Sequence, residues 1–136
     1  MIVLDASLMI AWLLEEDAAA SAPELNDILR QEQLVVPAHW PAEIGNALLI
    51  NGRRGRIPAD QLPTILRDCS SLDILVEAAI PVEDLGQHIR LATTQNLTLY
   101  DAAYLQIAME RSIPLGTLDA ELRTAAQRLG LVVFPT

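Results

Sequence analysis

The chain contains no lysine. All nine of its cationic side chains are arginines, set against 18 Asp and Glu, for a formal charge of −9. A phosphate-cradling lysine, a Schiff-base lysine and a lysine general base are therefore excluded. So is a nucleic-acid binder that grips by bulk positive charge, since that mode needs a basic surface. Cysteine is almost absent as well: Cys69 stands alone, cannot close an internal disulfide, and fits a reducing compartment. With one Phe, the core must be aliphatic. Long apolar runs are missing too. The first, Met1 to Leu4, is broken by Asp5, has no basic segment before it, and falls far short of the roughly 20 residues of a membrane helix. The chain reads as soluble and cytoplasmic.

What is present is an alternation. At 136 residues the default is a single domain spanning 1–136, with 51% hydrophobic residues. Short apolar runs at Ile2-Val3-Leu4, Leu34 to Pro37, Leu72 to Val76, Ile113 to Leu118 and Leu131 to Phe134 suit buried parallel strands. Between them lie stripes of helical period: Leu25, Ile28, Leu29; Leu62, Ile65, Leu66, Cys69; Leu85, His88, Ile89, Ala92; and Leu122, Ala125, Ala126, Leu129, closed by Gly130. Residues 102–109 are apolar on nearly all sides, which predicts a central, covered helix. Pro41 and Pro58 stand where helices begin. The pattern is α/β with a parallel sheet.

In such a sheet, ligands collect beyond the carboxyl ends of the strands. Four acids fall there. Asp5 follows the first strand, Glu43 lies in the first turn of the helix after the second, Asp101 opens the covered helix, and Asp119 follows the strand ending at Leu118. Any one of them has an ordinary explanation. Asp5, Ser7 or Asp119 can cap a helix, Thr98-x-x-Asp101 resembles a capping box, and Glu43 can favour the helix dipole. Together they demand more, because four carboxylates at one edge repel one another unless a cation joins them. Carboxylate oxygens suit Mg²⁺ or Mn²⁺, and no Cys or His cluster competes for a softer metal. An all-carboxylate site of this kind fits hydrolysis of a phosphodiester by metal-activated water.

These residues also carry a resemblance. Ile2-Val3-Leu4-Asp5-Ala6-Ser7 with Trp12 and Glu15, residues 36–48 from Val36-Pro37 through Glu43 and Asn46, Leu97 to Leu105 around Asp101, and Pro114 to Asp119 resemble, in order, the blocks of PIN-domain ribonucleases of the VapC toxin type. The resemblance implies a PIN-like three-layer α/β/α fold with a central, mostly parallel sheet, about five strands and seven helices. It implies an endoribonuclease acting as the toxin of a toxin–antitoxin pair. Asp5, Glu43, Asp101 and Asp119 would hold one or two Mg²⁺ or Mn²⁺ ions, supported by Ser7, Asn46 and Thr117. It further implies a homodimer and a cognate VapB-type antitoxin. Gly116 and His39 depart from the family's usual residues, and neither is expected to touch the acids.

Arg53, Arg54 and Arg56 form the one basic cluster, either a solvated helix end or an RNA phosphate clamp. Trp12, Trp40, Tyr100 and Tyr104 are expected mainly in the core, and His39 and His88 as structural residues. Ile44, Leu48, Leu49 and Ile50 put apolar surface on more than one side of their helix, one side for the sheet and another for a partner. A receiver-type phosphoacceptor would need a lysine, and a dehalogenase-like phosphatase an Asp-x-Asp where this chain has Asp5-Ala6-Ser7. The remaining alternative is a catalytically silent PIN scaffold kept for protein or RNA binding.

Overall fold

The β-branched and aliphatic triplets Ile2-Val3-Leu4 and Leu34-Val35-Val36 have no polar face, so each must be covered on both sides. In the computed structural model, which describes residues 1–20 and 22–136, they become neighbouring central strands, β1 (Ile2–Leu4) and β2 (Leu34–Val36), buried at every position. Three further strands complete one parallel sheet: β3 (Ile74–Val76), β4 (Leu115–Gly116) and β5 (Val133–Phe134). The spatial order is β3-β2-β1-β4-β5. Registers pair Val3 with Val35 on one side and with Leu115 on the other. The last two strands are shorter than the apolar runs that announce them.

Eight α-helices connect the strands among the described residues: α1 (Ala6–Leu13), α2 (Asp17–Ala20), α3 (Leu25–Gln31), α4 (Trp40–Arg53), α5 (Leu62–Ser70), α6 (Leu85–Gln95), α7 (Leu99–Arg111) and α8 (Ala120–Arg128). Short 3-10 turns lead into α5 and α6. The expected seven helices become eight because the four-residue α2 has no apolar stripe to announce it. The fold is the expected three-layer α/β/α arrangement, with a sheet that is parallel throughout.

Helix α7 is the covered helix that its composition predicts. Every residue from Ala102 to Ala108 is buried, and the helix packs on β1, β2 and β4 with α6 and α8 beside it. Its start is set by Thr98, whose hydroxyl accepts from the Asp101 N–H at 3.1 Å. Its end is set by Ser112 in the left-handed region. Pro41 sits in the first turn of α4, and Gly130, at φ +76°, follows α8. The buried side of α4, Ile44 and Leu48, joins the core shared with the sheet, and the helix packs against α1, while Leu49 is half exposed.

The strand order positions the site. From β1 the sheet grows outward through β2 and β3 on one side and through β4 and β5 on the other. The chain therefore diverges at the carboxyl ends of β1 and β4, the crevice where an open parallel sheet offers its loops to a ligand. Asp5 leaves β1 there, and Thr117 and Asp119 leave β4.

Candidate active site

Asp5 occupies the N-cap position of α1, yet its side chain caps nothing. Its carboxylate turns instead to the neighbouring strand end. Thr117 Oγ1 donates to Asp5 Oδ2 at 2.7 Å, and Ser7 Oγ donates to the same oxygen at 2.8 Å. Each hydroxyl is itself pinned by the loop after β4. The Asp119 N–H donates to Thr117 Oγ1 at 3.0 Å, and the Leu118 N–H donates to Ser7 Oγ at 3.2 Å. Two backbone amides, two hydroxyls and one carboxylate thus form a closed relay that locks the β1 and β4 loops together. Asp5 is 5% exposed and Thr117 fully buried.

Asp119 caps α8, accepting from the Leu122 N–H at 2.8 Å through Oδ1. Asp101 lies in the first turn of α7. Glu43, in the first turn of α4, accepts from the Tyr104 hydroxyl at 2.6 Å. His39, one turn earlier, brings Nε2 to 3.2 Å from the same Glu43 oxygen, close enough for an ion pair although poorly aligned for a hydrogen bond. Among the described residues, Oδ1 of Asp5, Oδ2 of Asp119 and Oε2 of Glu43 accept from no protein group, and the Asp101 carboxylate has no donor besides Thr98.

The acids share one field. Burial pushes the Asp5 carboxyl above its usual range; the two hydroxyls pull it back, and the charges of Glu43 and Asp119 push it up further. Asp101 is raised by burial and by Asp119, Asp5 and Glu43, against the opposing hydrogen bond at Thr98. Burial would raise Glu43 also, but His39 and Tyr104 hold it below its ordinary value. The phenol of Tyr104 is pushed far up by burial and by the Glu43 carboxylate, so it stays a donor. Among the described residues no arginine pairs with any of the four acids. Nor, among those residues, are any three His, Cys, Asp or Glu side chains gathered tightly enough to hold an ion as they stand.

Ser7 and Thr117 thus stand where supporting residues are expected. Asn46 is exposed on α4, and among the described residues its side chain makes no hydrogen bond. Arg53, Arg54 and Arg56 are exposed at the far end of α4, where Arg56 lines an opening beside Leu13 and Leu14 at the far end of α1. Both helices start at the acids and run away from them, α4 by about 15 Å between Glu43 and Arg53. Cys69 is half-buried, and burial pushes its thiol up, in keeping with an inert role.

Two expectations are corrected, for His39 and Tyr100, and one, for Tyr104, is extended. His39 does touch an acid, because an i, i+4 spacing sets it over Glu43 on one helix face. Tyr104 is buried as expected, but its hydroxyl serves Glu43, since a phenol held in a core seeks a partner. Tyr100 is not in the core; it is 62% exposed, with its ring edge-on to His39 at 5.2 Å between centroids. A further residue went unnoticed in the sequence: Arg123 reaches back one turn along α8 and donates to the Thr117 carbonyl at 2.8 Å, placing a guanidinium at the rim of the site. The spacing of Tyr104 from Asp101 and of Arg123 from Asp119, three and four residues along helices, is the signal that could have found both.

The model of the PIN domain family matches residues 2–128. Among solved structures, PAE2754 from Pyrobaculum aerophilum is 27% identical, with 97% of this chain and 87% of that one covered at a TM-score of 0.70. FitAcB from Neisseria gonorrhoeae is 25% identical, with 98% and 96% covered at a TM-score of 0.60. No curated protein matches the sequence.

Proposed function

Since the chain belongs to the PIN-domain family, whose members are generally nucleases, we propose that it is a metal-dependent endoribonuclease, with Asp5, Glu43, Asp101 and Asp119 holding one or two Mg²⁺ or Mn²⁺ ions. The observation that carries this reading is Asp5. A carboxylate buried at the topological switch point, held by two hydroxyls, raised by neighbouring acids and left without a cationic partner is a poor structural element and a good hard-cation ligand.

The donor set fits the ion. Oxygen ligands suit a hard divalent cation, and each acid has an oxygen to give. Without a cation the acids repel one another, and the charges of their neighbours help to raise Asp5 and Asp101 on top of burial. When bound, Mg²⁺ or Mn²⁺ supplies Lewis acidity, lowering the pKa of water and offsetting charge on the phosphate.

The chain's own groups have separable tasks. Thr117 and Ser7 fix the Asp5 carboxylate and favour its charged form. Tyr104 and His39 keep Glu43 ionised. Arg123, held by the Thr117 carbonyl, retains guanidinium N–H groups for a phosphate oxygen at the rim. No side chain need act as nucleophile, so water as the attacking group leaves a 5′-phosphate and a 3′-hydroxyl.

We further read the protein as the toxin of a toxin–antitoxin pair, working as a homodimer. Its charge of −9 would draw an inhibitor whose tail bears Arg or Lys, and the half-exposed Leu49 on α4 leaves apolar surface for such a partner. Calorimetric titration of Mn²⁺ tests the metal reading. Wild type should bind one or two ions, and Asp5→Asn, folded by circular dichroism, should bind at least roughly tenfold more weakly. Equal binding by both, or none by either, would leave the silent scaffold as the better account.

A further inference from the structure

The same edge of the sheet holds a second opening. A cavity of about 460 Å³ lies beyond the ends of β2 and β3, between the loop at Pro37–His39, residues 77–81, the start of α6, and one stripe of α7. We propose that this cavity is a nucleobase subsite, which seats the base next to the scissile phosphate and favours guanine. The proposal rests on the ribonuclease reading for its connection to catalysis, but the cavity's own chemistry selects the ligand.

Position comes first. His39 and Tyr100 line the cavity. His39 also lies 3.2 Å from Glu43, and Tyr100 directly precedes Asp101. A single wall therefore separates cavity and acids, and a strand with its phosphate at the acids brings a neighbouring nucleotide to the opening. On α7 the division is by helix face. Asp101 and Tyr104 look to the acids, whereas Ala103, Gln106, Ile107 and Glu110 line the cavity.

Charge decides which part of the nucleotide enters. Glu77, Asp84 and Glu110 border the space, and among the described residues no arginine lines it. Arg111, nearby, is spent on Glu77 at 2.6 Å. Phosphate is repelled and an uncharged base is not. Tyr100 supplies the platform. It is 62% exposed in a chain with few aromatics, and the His39 ring sets against it at an interplanar angle of 71°. A base can stack on such a ring whatever its sequence context.

Hydrogen-bond polarity then chooses among bases. Gln106, 8% exposed, donates Nε2–H to Glu110 Oε1 at 2.7 Å, leaving its own carbonyl oxygen and Glu110 Oε2 as acceptors. The Asp84 carboxylate has no protein donor among the described residues. His88 donates Nδ1–H to the Asp84 carbonyl at 3.1 Å, so its Nε2 is an acceptor in the neutral ring. The free groups facing the cavity are thus mostly acceptors. Guanine presents two adjacent donors, N1–H and the 2-amino group, which one carboxylate can take together. Uracil offers one donor between two acceptors and would leave acceptor facing acceptor.

The test is nucleotide binding without metal, followed by the side-chain NMR signals of Tyr100 and His88. Guanosine monophosphate at millimolar concentration should shift both signals, inosine monophosphate more weakly, and uridine monophosphate not at all. Glu110→Gln should weaken the guanosine response by roughly fivefold or more. Equal responses to guanosine and uridine, or no response to either, would overturn the subsite. Sequencing the ends of Mn²⁺-cleaved random RNA separates the two readings. Hydrolysis without base preference, together with equal nucleotide responses, removes the subsite and leaves the ribonuclease standing. A guanosine response without any hydrolysis keeps the subsite and removes the ribonuclease.

Discussion

Thr117 donates its hydroxyl to Asp5 at 2.7 Å, joining side chains 112 positions apart in the sequence. The bond ties the loop after β4 to the loop after β1 at the place where the strand order diverges. It also gives a buried carboxylate one of its two donors. Removing the hydroxyl while keeping the shape, as in Thr117→Val, should therefore raise the Asp5 carboxyl further and leave a buried acceptor short of a partner. The expected cost is about 1–3 kcal/mol in urea unfolding, with at least roughly tenfold weaker Mn²⁺ binding, and Thr117→Ser should restore both. A Val variant as stable as wild type would show that the bond only accompanies the fold.

Stability in the absence of metal should depend on pH with a defined sign. Asp5 and Asp101 titrate above the ordinary 3.8 in the folded chain. Between that value and their raised values the folded state holds more protons than the unfolded one, so stability falls as pH rises through the window. Glu43 acts oppositely. Its pKa lies below 4.5, so its contribution is present above the unfolded value and is lost as pH falls through the folded one. In EDTA at neutral pH, Asp5→Asn should then melt a few degrees above wild type, and Mn²⁺ should stabilise wild type more than the variant. Thermal melts from pH 4 to 8, with and without Mn²⁺, check this.

Tyr104→Phe isolates the Glu43 environment. The ring keeps its packing, and Glu43 loses a 2.6 Å donor, so its carboxyl should titrate higher. Because Glu43 is about a third exposed, the loss of stability should be only about 1 kcal/mol. The rising limb of the activity–pH profile should move to higher pH, with activity at alkaline pH nearly retained. An unmoved profile would separate Tyr104 from the acids.

Gly116 is fixed by its neighbours. A Cβ there would meet the Phe134 ring at 2.5 Å and Leu4 Cδ1 at 3.0 Å. Gly116→Ala should cost about 1–3 kcal/mol by overpacking the β4–β5 pair, and adding Phe134→Leu should recover part of it. Chemical denaturation of the two variants checks the coupling.

The arginine cluster makes a claim about RNA affinity alone. Arg53, Arg54 and Arg56 are exposed and a helix length from the acids. If they meet phosphate, Arg54→Ala should raise KM with kcat unchanged, and lower the slope of log affinity against log salt by about 1. An unchanged slope would make them a solvated helix end.

Much of this was legible in the sequence, for a physical reason. Three-residue runs such as Ile2-Val3-Leu4 and Leu34-Val35-Val36 have nothing polar to show to solvent, so they had to be central parallel strands. The residues after them then had to lie along one edge. Asp5 with Ser7, and Asp119 with Thr117, were readable as pairs because each pair is local. What stayed hidden was the company that packing brings from elsewhere. Tyr104 was readable as a buried ring, but its bond to Glu43, 61 positions away, depends on the tertiary fold that brings the two residues together. His39 is local to Glu43, and its i, i+4 spacing carries the contact. Asn46 shows the converse: one turn from Glu43 shares a face only loosely, and its side chain stays in solvent.

The most direct test is cleavage of RNA by the purified chain, with the ends of the products identified. Hydrolysis with Mn²⁺ or Mg²⁺, leaving 5′-phosphate and 3′-hydroxyl ends, abolished by EDTA and by Asp5→Asn, is the predicted result. Cleavage that persists in EDTA, survives Asp5→Asn or leaves 2′,3′-cyclic phosphate would contradict a metal site built on the four acids.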